Sequence, residues 1–318
     1  MKRILVTGSV GQIGSELTPA LRDRYGSDNV IAGGHRTKPS KELLEGGPFE
    51  IVDCGDLNQL TEVIKKYNIG TVYHLAAILS AVGEKNPQLA WSVNINGLYN
   101  VLEVAREFNL AVFVPSSIAA FGPSTPKINT PQDTIQRPTT IYGVTKVAGE
   151  LLCDYYFKRF GIDTRGVRYP GIISYVTPPG GGTTDYAVEI FYEAIQNKHY
   201  TCPLKKGTSL DMMYMPDAIK AAINLMEANP DKLIHRNAFN VTAMQLKPEI
   251  IEESIKKYIP EFRMDYEIDP LKQGIADSWP DSMDDSCARE EWGWKPDYNL
   301  ESMTKDMLDK LSIKLLKN

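Results

Sequence analysis

Glycines at 8, 11 and 14, in Gly8-Ser9-Val10-Gly11-Gln12-Ile13-Gly14, stand between two stretches of different periodicity. Before them, Lys2 to Thr7 is a short β-branched run; after them, Ile13, Leu17, Ala20 and Leu21 recur at helical spacing as far as Tyr25. The order is strand, glycine turn, helix. Glycine lets the backbone double back tightly and lets a phosphate approach the helix start, whose free N–H groups and dipole favour anions. That order opens a nucleotide-binding α/β unit.

The pattern continues. Apolar runs at Val30 to Ala32, Phe49 to Val52, Thr71 to Leu75, Ala111 to Pro115 and Asp163 to Tyr169 read as buried parallel strands. Helical patterns over Leu57 to Tyr67, roughly Pro87 to Phe108, and Tyr142 to Phe160 separate them, the last with Val144, Val147, Leu151, Leu152 and Tyr155 on one stripe. This alternation predicts an α/β fold, a Rossmann-like doubly wound parallel sheet. After Tyr169 it breaks at Pro178-Pro179-Gly180-Gly181-Gly182. The expected division is a dinucleotide-binding domain over residues 1–171, with 209–242 returning to it, and a smaller C-terminal α+β substrate lobe over 172–208 and 243–318. A chain of 318 residues suits two such units.

Composition narrows the partners. A net charge of -5 offers no basic stripe for phosphate backbones, so nucleic acid is not an expected partner. The four cysteines are widely spaced without a CxxC pair, and the four histidines are scattered without ligand spacing, so no metal is expected. The apolar run Ile4-Leu5-Val6 is far too short for a signal or membrane segment, and the expected setting is soluble, cytoplasmic and reducing.

Tyr142-Gly143-Val144-Thr145-Lys146 heads the third helical pattern. Residues four apart share a helix face, about 5–6 Å between Cβ atoms, so a phenol and an ammonium can serve one site. Chance supplies many such pairs, and this one gains meaning from its neighbours. The glycine spacing resembles the TGxxGxxG loop of the short-chain dehydrogenase/reductase superfamily, in particular its extended branch. The resemblance implies that Gly8, Gly11, Gln12, Ile13 and Gly14 cradle a dinucleotide, and that Phe113-Val114-Pro115-Ser116-Ser117 brings the Ser117 hydroxyl beside Tyr142. The chemistry asks for this trio: a phenolate, stabilised by the Lys146 ammonium, takes the proton of an alcohol as it is oxidised, and Ser117 donates to the alcohol oxygen. Asn94 stands where related enzymes carry a structural or relay asparagine.

About 20 residues past the loop a carboxylate usually holds the adenosine ribose. Here the strand ends Ala32-Gly33-Gly34-His35-Arg36 instead. Either the backbone at Gly33 and Gly34 holds the ribose of NAD, the preferred cofactor, or His35 and Arg36 face the 2′-phosphate of NADP. Asp56-Leu57 matches a position that commonly meets the adenine in this superfamily, and Asp56 also suits a helix cap.

Several stretches resemble, over essentially the whole chain, the NAD-dependent L-threonine 3-dehydrogenases of the extended short-chain type: His74-Leu75-Ala76-Ala77-Ile78-Leu79-Ser80-Ala81, Pro115 to Pro123, Tyr169 to Ile173, Pro178 to Ala187, Met212-Met213-Tyr214-Met215 and Ala276-Asp277-Ser278-Trp279-Pro280. The resemblance implies that Leu75, Ala76, Ala77 and Tyr169 adjoin the cofactor, that Ser80, Thr183 and Thr184 hold the amino and carboxylate groups of L-threonine, and that the enzyme is a homodimer. Independently, Ala187, Val188, Ile190 and Phe191 are helically spaced, so Thr183 or Thr184 is expected near an N-cap whose free amides suit a small carboxylate. Trp279 is either a pocket lid or a core aromatic. Two other readings share these motifs: a nucleotide-sugar epimerase or dehydratase, and a non-catalytic nucleotide sensor that would have no need of the Tyr142 base.

Overall fold

The computed structural model describes residues 2–180 and 182–316, so Gly181 of the glycine-rich loop lies outside it. Its strands are β1 (Arg3–Thr7), β2 (Val30–Gly34), β3 (Phe49–Ile51), β4 (Ile69–His74), β5 (Ala111–Phe113), β6 (Ser116–Ser117), β7 (Thr164–Arg165), β8 (Val167–Tyr169), β9 (Gly171–Ile173), β10 (His199–Cys202), β11 (Leu210–Tyr214), β12 (Phe239–Asn240), β13 (Met244–Leu246) and β14 (Arg263–Tyr266). The main sheet runs β3-β2-β1-β4-β5-β7, all parallel. Two short sheets, β12-β8-β6 and β13-β11-β9, accompany it, and a β10-β14 pair lies apart. Of the later segments, β12 pairs with β8, while β11 runs parallel to β9 and antiparallel to β13.

Strand pleating explains why the sheet is covered on both sides. Successive side chains alternate faces: Ile4 and Val6 join Leu17, Leu21, Met213 and Ala218 in one core, whereas Leu5 joins Ile31, Leu60, Val101 and Leu102 in another. A third core belongs to the C-terminal part, with Tyr186, Phe191, Trp279 and Met303 packed on Ile118 and Phe121. Trp279 is thus a core aromatic.

Three local features depart from the sequence reading. The run expected over Ala111 to Pro115 ends as β5 at Phe113, and a separate strand β6 follows Pro115, which has no N–H to pair. The pattern over Pro87 to Phe108 resolves into a helix Pro87–Trp91, a π-helical turn Ser92–Asn96 and a helix Gly97–Phe108. In the helix Ile141–Phe160 the apolar stripe looks outward: Val144, Leu151 and Tyr155 are 41%, 62% and 52% exposed, and Val147 and Leu152 only half-buried. The sheet side is Gly143, Thr145, Gly149, Glu150, Cys153 and Tyr156, mostly small or fully hydrogen-bonded groups that let the helix pack closely.

His74, at the end of β4, is bonded through Nδ1 to Thr7 Oγ1 at 2.9 Å and wholly enclosed. Burial, reinforced by the Lys146 ammonium, pushes its imidazole down to about 3. An unfolded imidazole takes a proton near pH 6.5, so below that value the unfolded chain binds one proton more than the folded one. Stability therefore falls with acidification, His74 contributing a slope of about 1.4 kcal/mol per pH unit between roughly pH 6 and 4. Urea unfolding across that range should show a shallower slope for His74→Gln, and equal slopes would remove His74 as the cause.

Candidate active site

The glycine loop closes on itself. Gly8 has φ +70°, and a Cβ there would meet Ala76 N at 2.7 Å; one on Gly14 would meet Gly8 O at 2.2 Å. The helix Gly14–Tyr25 therefore begins directly over the turn, with Gln12 and Ile13 at its entry and Leu75 and Ala76 beneath it. Ser9 donates from both N and Oγ to Gly33 O at 3.0 Å, which joins the loop to the end of β2. At that end Gly34 is buried against Phe49, while His35 and Arg36 are exposed. Asp56 accepts from Asn58 N and Gln59 N at 2.9 and 3.2 Å, capping the helix Leu57–Tyr67, and Leu57 stands 44% exposed beside it.

The catalytic candidates meet at the head of the helix Ile141–Phe160. Thr140 caps it, accepting from Gly143 N at 3.1 Å, and Glu84 accepts from Ile141 N at 2.7 Å. Glu84 belongs to the helix Ser80–Lys85, which Ser80 begins. Gly143 is the contact point: a Cβ would come within 2.3 Å of Ala119 O, so only glycine lets the turn Ser117-Ile118-Ala119 lie on this helix. Ser117 Oγ accepts from Ala119 N at 3.2 Å, which orients the hydroxyl and leaves its proton free to donate. Lys146 Nζ donates to Pro115 O at 2.7 Å and stands 5.4 Å from the centre of the Tyr142 ring, a cation–π distance. Tyr142 is half-buried against the core that holds Tyr186 and Ile173.

Asn94 is structural. Its side chain accepts from Ile78 N at 2.7 Å and donates to Ile78 O and Thr145 Oγ1, both at 3.0 Å. The π-helical turn presents it to three partners at once.

Two residues of this site escaped the sequence reading. Glu150, one helical turn past Lys146, is buried and accepts from Arg168 Nε and Nη2 at 3.0 and 2.8 Å, from Gln136 Nε2 at 2.7 Å and from the Ser116 hydroxyl. Arg168 also donates to Gln132 O and Asn240 Oδ1. The one signal was a lone carboxylate at i+4 from Lys146. Elsewhere His235 meets Cys287 and Glu291, which are four residues apart on the helix Ser286–Trp292, and their ligand atoms lie within 4.8 Å of one another. There Glu291 is already engaged by the His235 ring and by the N–H groups of Ile234 and His235.

On the substrate side the N-cap of the helix Tyr186–Gln196 is Asp185, and Thr183 and Thr184 stand directly before it, near the helix start as the spacing predicts. The Asp185 carboxylate makes no cap bond; it accepts from Gly180 N and Gly182 N at 2.7 and 2.8 Å and so closes the glycine-rich loop. Thr183 is buried. Thr184 lies against Gly171, where a Cβ would meet Thr184 Cγ2 at 2.8 Å and Met212 Sδ at 2.2 Å. Tyr169 is buried with its phenol on Ala218 O at 2.6 Å, so only its backbone and that of Pro170 and Gly171 face the site.

Residues 4–242 match the family described as NAD dependent epimerase/dehydratase. A Staphylococcus aureus protein known as an uncharacterized epimerase/dehydratase is 56% identical over 314 residues, 99% of this chain and 98% of its own. Among solved structures, the L-threonine dehydrogenase of Clostridium difficile has a TM-score of 0.97 at 60% identity, covering 99% of this chain and 98% of that one. A monomeric L-threonine 3-dehydrogenase from a metagenome, in its apo form, has a TM-score of 0.93 at 46% identity over 98% and 99%.

Asn94→Ala leaves Ile78 N and Ile78 O without their partner. The expected loss is about 2–4 kcal/mol in urea unfolding; a loss under about 0.5 kcal/mol would mean that solvent replaces the amide.

Proposed function

The chain belongs to the NAD dependent epimerase/dehydratase family, and from that premise we propose that it is an NAD-dependent L-threonine 3-dehydrogenase, converting L-threonine to 2-amino-3-oxobutanoate. The observation that carries this reading is the Tyr142, Lys146 and Ser117 constellation, set at the meeting of three segments, in a chain similar over its whole length to L-threonine dehydrogenases.

The glycine loop suits a dinucleotide, because a side chain at Gly8 or Gly14 would fill the cradle with atoms. Gly8, Gly11, Gln12, Ile13 and Gly14 would hold the pyrophosphate, Asp56 and Leu57 the adenine, the backbone at Gly33 and Gly34 the ribose, with His35 and Arg36 at the same edge, and Leu75, Ala76, Ala77 and the Tyr169–Gly171 backbone the nicotinamide half. NAD supplies there the two-electron acceptor for the oxidation. Tyr142 takes the proton of the 3-hydroxyl. Lys146, steered by the Pro115 carbonyl, stabilises the phenolate. Ser117 donates to the substrate oxygen and so holds C3 in register. Ser80, Thr183 and Thr184 bind the amino and carboxylate groups, Thr184 from its seat on Gly171.

The proposed division is a nucleotide domain of residues 1–171 with 209–242, and a substrate lobe of 172–208 with 243–318. A homodimer is proposed through the face that carries Trp91, Tyr99, Leu151 and Tyr155, each 44–62% exposed. Such a contiguous apolar face favours a covering partner. Cytoplasmic residence fits the free thiols of Cys54, Cys153, Cys202 and Cys287. Tyr155→Asp should shift the chain to monomer in sedimentation velocity, and a wild type that sediments as a monomer sinks this interface.

NADH formation with L-threonine, L-allo-threonine and simple secondary alcohols tests the activity, with threonine expected to be strongly preferred. No NADH from threonine, together with turnover of a UDP-sugar without net NADH, would instead support an epimerase. Tyr142→Phe is expected to lower kcat by at least about 10²-fold, in line with loss of a general base, with NAD binding intact by calorimetry; an active variant removes Tyr142 from the mechanism.

A further inference from the structure

At the end of β2 the carboxylate that usually holds an adenosine ribose is missing, and packing explains why. A Cβ on Gly34 would come within 2.8 Å of the Phe49 ring. Phe49 is paired into β3 opposite Ala32, so a side chain at position 34 would have to push its ring aside. Yet β3 ends at the same edge of the sheet, since Gly34 is in register with Ile51.

Two residues further on stands Asp53. Its Oδ2 is 3.6 Å from His35 Nε2, and its Oδ1 accepts from Gly55 N at 2.8 Å. The Asp53 N–H in turn donates to Gln59 Oε1 at 3.1 Å. The carboxylate is thereby braced within its own loop, three residues before Asp56. It remains open to a ligand, for the Asp53 and His35 side chains are 41% and 42% exposed. The glycine loop borders the same edge: Val10 Cγ1 lies 3.5 Å from the Cβ position of Gly34, and Ser9 is bonded to Gly33 O.

We propose that Asp53 takes over from the absent β2 carboxylate as the determinant of nucleotide form, accepting from the ribose 2′-hydroxyl and repelling a 2′-phosphate. A 2′-phosphate brings close to two negative charges, and a carboxylate at the same edge opposes them. His35, which alone would attract a phosphate, already faces that carboxylate. The assignment rests on the dinucleotide reading of the glycine loop but not on the identity of the alcohol substrate.

Calorimetric binding of ADP-ribose and of 2′-phospho-ADP-ribose to the full chain tests it without turnover. Wild type should prefer ADP-ribose. Asp53→Asn and Asp53→Ala should each move the ratio of the two affinities by about tenfold or more toward the phosphorylated ligand, as expected for loss of one close like charge. Asp28→Asn, an exposed carboxylate away from this edge, should leave the ratio unchanged. Normal ADP-ribose binding with an unmoved ratio in both Asp53 variants, or an equal shift in Asp28→Asn, overturns the role of Asp53 and leaves the dinucleotide site standing. Failure of wild type to bind ADP-ribose overturns both.

Discussion

The Glu150 carboxylate, buried beneath the catalytic helix, accepts from Arg168, Gln136 and Ser116 together. A buried ion pair of this kind adds little net stability over an apolar substitute, yet losing one partner costs about 3–5 kcal/mol. Its effect is on geometry. Glu150 rides on the helix of Tyr142 and Lys146, Ser116 precedes Ser117 on β6, and Arg168 precedes Tyr169 on β8. The helix of Tyr142 and Lys146, the strand of Ser117 and the strand of Tyr169 are thus tied at one buried point.

Close approach is the second constraint, and it is steric. At Gly143 the helix touches the Ala119 carbonyl, and at Gly171 the end of β8 and β9 touches Thr184 and Met212. These two glycines make room where the ion pair sets direction. Without the first the Ser117 turn would stand away from the helix of Tyr142, and without the second Thr184 would stand away from β9.

Periodic features were legible in the sequence, and long-range polar pairing was not. Leu57 to Tyr67 has the bounds its apolar spacing predicts, because its inner face is aliphatic. The stripe of Val144, Leu151 and Tyr155 misleads, as the helix that carries it turns glycine, threonine and a carboxylate to the sheet. Apolar periodicity marks a face that will be covered without naming what covers it. The Tyr142–Lys146 spacing was visible because it is local. Glu150 with Arg168 and His35 with Asp53 are each 18 residues apart and meet only through the sheet order. Thr183 and Thr184 read as neighbours of a helix start, which they are, whereas the bonds from Gly180 and Gly182 to Asp185 leave no periodic trace in the sequence.

The segment after β9 leads from the nucleotide side to the threonines at positions 183 and 184. It is held from three sides: Ser174 donates to Glu16 at 2.5 Å and Thr177 lies 3.4 Å from Ser15, both on the helix that follows the glycine loop. Lys314, on the C-terminal helix Leu300–Leu316, donates to the carbonyls of Tyr175 and Val176 at 2.9 and 2.8 Å. Asp185 then draws in the glycines. On the proposed reading, the general base sits on the rigid helix and sheet, while the threonines proposed to hold the substrate follow this tethered loop. Its first anchors lie on the helix that would receive the pyrophosphate, so those threonines take their position from the same element as the proposed cofactor site. The proposed substrate recognition is thereby built outward from the nucleotide site.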